Sequence, residues 1–286
     1  MPEKEVRVMH ITGKGWGKII GISIVAALLD MVLHALFAPT YPYDYPPSYF
    51  VQNGLFQPAA AVSLLITFFL LALVFAAIQE RLPGGKVSKG LRFGVAFGGL
   101  WFLGVVGMSI FFGAPLSHEV LGGASDCASL IILGVLLGFF TATGGEAGSM
   151  GSPGRSIAGI LIVAVFFILG QYDAFFLMSE MPYFDLFGPD TFLWTLILAV
   201  WAGITYWLLR DGTIRDPSPV KRALFFGGVI IGINWILFNM FVLLFVAAPV
   251  SDPLVLAILN IVSIVVGMFV VESVIFRKEA GYPASR

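Results

Sequence analysis

One cysteine, Cys127, and three histidines in 286 residues leave little material for metal or disulfide frameworks. A lone thiol cannot close an intramolecular disulfide, so no stapled extracellular domain is encoded. His10, His34 and His118 fall on different sides or loops, so neither a His-rich metal cluster nor a pair of haem-ligand helices is read from them. Charge is also scarce. Asp, Glu, Lys and Arg supply 12% of the chain, and a net charge of −1 argues against a nucleic-acid partner. Walker, Gly-x-Ser-x-Gly and His-Glu-x-x-His sequences are absent, as are the acidic repeats of a prenyl diphosphate enzyme and a mid-helix lysine suited to retinal. No catalytic residue, metal or cofactor is assigned from sequence motifs.

What the chain has in excess is apolar surface: 58% hydrophobic residues and a mean hydropathy of +0.95. This is membrane composition. A helix crossing a hydrocarbon layer of ~30 Å needs roughly 20 apolar residues at about 1.5 Å rise each. Eight segments meet that length: 19–37, 59–78, 93–112, 122–142, 157–177, 191–209, 223–247 and 254–276. The expected fold is therefore an all-α polytopic membrane protein with eight transmembrane helices.

Lysine and arginine give the orientation, because short basic loops resist export. Lys4, Arg7, Lys14 and Lys18 precede the first segment; Arg81, Lys86, Lys89 and Arg92 lie between or just inside the second and third; Arg155 lies between the fourth and fifth. Arg210, Arg215, Lys221 and Arg222 join the sixth and seventh, and Arg277, Lys278 and Arg286 follow the eighth, completing the 16 basic residues. The opposite loops carry none, and instead hold Asp44, His118, Glu119, Glu180, Asp185, Asp190 and Asp252. Both termini are expected in the cytoplasm (N-in/C-in) of a cell in whose plasma or inner membrane the chain sits. A cleaved signal peptide is disfavoured by the length of the first segment, by Asp30 and His34 within it, and by the lack of a small-x-small site.

Internal comparison yields two ungapped matches. Ile19–Ala26 matches Ile157–Ala164, and Gly94, Val95, Gly98, Trp101, Leu103, Phe111, Ala114, Pro115, Ser117 and Ser129 match Gly228, Val229, Gly232, Trp235, Leu237, Phe245, Ala248, Pro249, Ser251 and Ser263. Four spans per repeat is an even number, so two parallel four-helix repeats are expected, related by an axis along the membrane normal. The first occupies 1–143, a Gly/Ser-rich cytoplasmic linker 144–156, and the second 157–286. The linker carries no Gly-Lys-Ser/Thr and reads as a flexible joint rather than a phosphate cradle. Gly94-x-x-x-Gly98 and Gly228-x-x-x-Gly232 place small residues one turn apart and predict helix-packing seams.

Ionisable groups inside a bilayer are costly and mark candidate sites. Asp30 lies about 18 Å along its helix, and His34 one turn further on the same face. Such a pair suits proton relay, metal coordination or cation binding, or simply pins one helix to another. His34 aligns with Tyr172, flanked by Gln171 and Asp173, and Asp126 aligns with Asn260. These seven residues are expected to line one outward-facing vestibule or two equivalent ones. Glu80 and Glu272 are read as interfacial ion-pair members near Arg81 and near Arg277 and Lys278, and Asn234 and Asn239 as interhelical hydrogen-bonders. The Tyr- and Pro-rich stretch 39–50 reads as an interfacial cap or as a lid.

Three function classes follow: a small-solute or ion-coupled transporter with a polar site between the repeats, a non-enzymatic assembly partner or sensor, and a membrane enzyme acting on lipid or quinone. The last requires Asp30, His34 and Asp126 to converge within hydrogen-bond reach. The expected partners are the lipid bilayer and a small cationic solute or proton; a homo-oligomer is compatible with the sequence.

Overall fold

The computed structural model describes residues 13–37, 43–144, 153–178, 184–213 and 218–276. Most of the linker, the chain ends and the whole stretch 179–183 with Glu180 therefore lie outside the described residues, as do Arg277 and Lys278. The fold is all-helical, with eight helices long and apolar enough to cross a bilayer: α1 (Gly15–Phe37), α2 (Phe56–Ile78), α3 (Lys86–Phe112), α4 (Leu116–Thr141), α5 (Gly154–Leu177), α6 (Pro189–Gly212), α7 (Pro219–Leu244) and α8 (Ser251–Ile275). A one-turn helix, Tyr49–Gln52, capped by the Ser48 hydroxyl, precedes α2.

Local sequence sets the ends. Pro189 and Pro219 open α6 and α7 at positions where the missing N–H costs nothing, and the Ser218 hydroxyl accepts the Lys221 amide. α3 stops at Gly113, whose φ of 70° is left-handed, with Pro115 two residues on. Every spanning helix starts earlier than its apolar run, α3 and α4 by the most. α3 begins at Lys86 and α4 at Leu116, because a helix continues past the hydrocarbon boundary wherever its polar groups find partners. Lys89, 1% exposed, points its Nζ at the Thr143 carbonyl 3.3 Å away.

The ends of the helices are tied together at two levels. At the end carrying the basic residues, Gln79 accepts the Thr143 amide at 2.9 Å, and Arg81 reaches the carbonyls of Gly212 and Thr213 at 3.4 Å. Glu272 there accepts from Arg222 at 3.0 Å, Arg210 at 3.3 Å and the Tyr206 hydroxyl at 3.1 Å. The ion pairing expected of Glu272 is thus met by arginines distant in sequence. At the opposite end, Pro47 pairs with Val246 in an isolated β-bridge, with Ser48 donating to Phe245 at 2.9 Å and Ala247 to Pro46 at 2.9 Å. The bridge ends α7 at Leu244, short of the expected Ala247, because strand-like pairing removes these residues from the helix.

Backbones touch most closely between α3 and α4. A Cβ on Gly90 would lie 2.0 Å from the Gly134 carbonyl oxygen, and one on Gly94 2.7 Å from Ile131 Cα. Gly98 faces the Cys127 backbone at 3.0 Å. In the second half the pattern shifts: Gly228 meets nothing within 4 Å, while Gly227 faces Val265 at 2.5 Å and Gly232 meets Ile261 at 3.5 Å. The cause is local, since Phe225–Ile231 is a π-helix whose wider turn rotates the packing face by one residue.

α6 crosses onto α3 through two tryptophans, Trp194 donating to the Leu103 carbonyl at 2.7 Å and Trp201 to that of Ala96 at 3.1 Å. α3 and α7 meet through Trp101, whose indole donates to Asn234 Oδ1 at 2.8 Å. Leu28, Val32, Leu161, Val165, Val262 and Val266 are exposed on α1, α5 and α8. With eight apolar spans, these outward faces suit a lipid bilayer and mark a multi-pass membrane protein.

Candidate functional site

A cavity of about 490 Å³ lies among α1, α2, α3, α4 and α7, toward the end with the β-bridge. Its polar wall comes from α1 and α4. Asp30 and His34, one turn apart on α1, share a face as their spacing dictates. Asp126 meets them from α4. His34 Nδ1 is 3.4 Å from Asp30 Oδ2, and Nε2 is 3.7 Å from Asp126 Oδ1. One ligand-capable atom from each of the three falls within 4.8 Å of the others.

The His34 tautomer follows from its neighbours. Nδ1 lies 3.1 Å from the carbonyl oxygen of Asp30, which can only accept, so Nδ1 carries a hydrogen. Nε2 is then the atom presented to Asp126. Asp30 is 1% exposed, and its Oδ1 has no hydrogen-bond partner.

Sequence reading missed a third acidic group on this wall. Glu119 and His118 lie in the first turn of α4 rather than in a loop, and Glu119 is buried at 1% exposure. His118 Nδ1 is 3.1 Å from Glu119 Oε1, and the Tyr43 side chain also hydrogen-bonds Glu119. The signal was present: Glu119, Gly122 and Asp126 fall at i, i+3 and i+7, one helix face. The omission came from starting the span at Gly122. The lining also carries aromatic side chains, Trp101, Phe238, Phe241 and Phe245.

The remaining candidates lie elsewhere. Gln171 of α5 and Asn260 of α8 are both fully buried and joined at 2.7 Å, Asn260 donating to Gln171. Gln171 borders a separate cavity of about 50 Å³ with Asn239, Asp252, Trp194 and Trp235. Tyr172 is half-buried against Phe175, and Asp173 is exposed. The structure thus brings Asp30, His34 and Asp126 together, pairs Gln171 with Asn260 apart from them, and leaves Asp173 in neither group. Of the Tyr/Pro stretch, 43–50 is described: Tyr43 lines the larger cavity and Pro46–Ser48 are held by the end of α7.

Two carboxylates and an imidazole beside a cavity of about 490 Å³ can bind a cation or pass a proton, and its aromatic lining adds a surface for cation–π contact. No protein-family model, curated protein or solved structure matches the chain.

Proposed function

We propose that this protein is a transporter or ion-coupled permease for a small cationic solute, with the cavity beside Asp30, His34 and Asp126 as its binding site. The observation that carries the reading is the convergence of these three groups, from two helices, on a cavity of about 490 Å³ inside the bundle. Among the described residues that line the cavity there is no arginine or lysine beside these buried carboxylates, which favours a positive ligand.

Location supports a moving site. The cavity is walled by the first four helices and by α7, so a small displacement of α7 changes its access. The π-helical stretch in α7 supplies a place for that displacement. The parallel four-plus-four duplication belongs to this reading. Trp101 and His118 border the larger cavity where their aligned residues, Trp235 and Asp252, border the smaller one. With basic loops inside and both termini cytoplasmic, the larger cavity lies in the outer half of a cell membrane.

Uptake into proteoliposomes from a panel of inorganic and organic cations tests the proposal. Asp30→Asn and Asp126→Asn are expected to abolish uptake of the transported cation, while Asp173→Asn, exposed and outside both cavities, retains it. Equal uptake by all three variants would remove the cavity from any transport role. A second reading draws on the same convergence, which also meets the geometric demand of an acid–base centre acting on lipid or quinone; turnover of such a substrate by purified protein, with no cation flux, selects it.

A further inference from the structure

We infer that Asp30, His34 and Asp126 form a binding site for one divalent transition-metal ion, of the zinc, cobalt or manganese class. This rests on the reading of the cavity as a cation site and names the cation. The donor set is the first reason. Sodium, magnesium and calcium prefer shells made wholly of oxygen, whereas one imidazole with two carboxylates suits borderline first-row ions. Charge is the second, because two carboxylates in a low-dielectric setting are balanced by a dication and left one short by a monovalent ion.

The third reason is the geometry of the gap. With a hydrogen on Nδ1, His34 turns Nε2 toward Asp126 Oδ1 at 3.7 Å, a gap between two electron-rich atoms that calls for a positive centre, a proton or a metal ion, between them. A tetrahedral ion with ligands at about 2.0–2.1 Å holds its donors about 3.3 Å apart. The observed separation therefore closes by a few tenths of an ångström, and the 4.8 Å upper limit of the group by about 1.5 Å, through side-chain rotation. The carbonyl of Asp30 on Nδ1 acts as the outer partner that fixes ring orientation in metal sites.

An independent observation points the same way. Asp30 Oδ1 is buried and has no hydrogen-bond partner, an orphaned oxygen of a side chain that is 1% exposed. The adjoining cavity leaves the remaining coordination positions to water, so the site is open rather than closed.

The test uses the full chain purified in detergent, with Co²⁺ as spectroscopic probe and Zn²⁺ as competitor. One Co²⁺ per chain is expected, giving visible d–d bands that Zn²⁺ abolishes, and Zn²⁺ but not Mg²⁺ should raise the melting temperature. Asp126→Asn and His34→Gln should weaken Co²⁺ binding by about 100-fold or more. Asp126→Glu, which keeps the ligand type, should retain bands of altered position. Circular dichroism and gel filtration check that each variant folds. Absence of one-to-one binding by the wild-type chain at millimolar Co²⁺ or Zn²⁺ overturns the inference and assigns the gap to a protonated imidazole, as does undiminished binding by the folded variants. The two readings separate cleanly. Tight binding without flux into liposomes keeps the metal site and removes the transporter, whereas flux of another cation without metal binding does the reverse.

Discussion

In the first half of the chain, α1 and α4 face each other through Asp30, His34 and Asp126 beside a cavity of about 490 Å³. In the second half, α5 and α8 face each other through Gln171 and Asn260, and the nearby cavity is about 50 Å³. In the sequence alignment of the two halves Asp30 stands against Ile168, His34 against Tyr172 and Asp126 against Asn260, and the last, carboxylate for amide, is the exchange at the helix contact itself. An amide pair satisfies itself in part with one neutral hydrogen bond and lets the helices close. A carboxylate–imidazole group leaves negative charge that needs water or a cation, and space goes with it.

Reversing that exchange has the largest expected effect. Asn260→Asp buries a carboxylate against the Gln171 Oε1 that now accepts from Asn260, and should lower stability in detergent by about 3 kcal/mol or more, read as a loss of melting temperature. An unchanged melting temperature would mean that the second half already admits water or ions. Glu272→Leu attacks the other charged cluster. It leaves Arg222 and Arg210 beside a buried apolar side chain, for a cost of about 3 kcal/mol by denaturant titration.

The packing seams give the next contrast. Gly90→Ala places a methyl group against the Gly134 carbonyl and should cost about 2 kcal/mol, whereas Gly228→Ala meets open space and should change stability by less than about 1 kcal/mol. Parallel thermal melts decide it, and equal losses would contradict the shifted packing face in α7. Between those two values falls the effect expected of Trp101→Phe. It strips the indole donor from Asn234 Oδ1 at the contact of α3 with α7, for about 1–2 kcal/mol.

How far the site was legible depends on the range of each interaction. Asp30 and His34 were readable as a pair because helical periodicity alone puts i and i+4 on one face. Asp126 was readable as a costly group that could share their vestibule, but not as a direct contact of His34, since nothing local says that α4 packs on α1. Glu119 was hidden by a boundary, as hydropathy ends a span where acidic residues begin, whereas a buried helix end accommodates an acidic side chain if His118 and Tyr43 hydrogen-bond it. The glycines show the same limit. Gly94 and Gly98 lie in the closest backbone contact, while Gly228 is turned away by a π-helical stretch that no periodicity announces.

By itself the sequence determined eight apolar helices, because the need to satisfy every backbone group in hydrocarbon leaves a run of some twenty apolar residues no other choice. It also determined which residues are costly to bury. Tertiary structure alone decided which of those residues meet. Convergence depends on helix neighbours and rotations set by glycine contacts, tryptophan hydrogen bonds and a register shift, all of them long-range. The metal-sized group of Asp30, His34 and Asp126 and the separate Gln171–Asn260 pair are consequences of that packing.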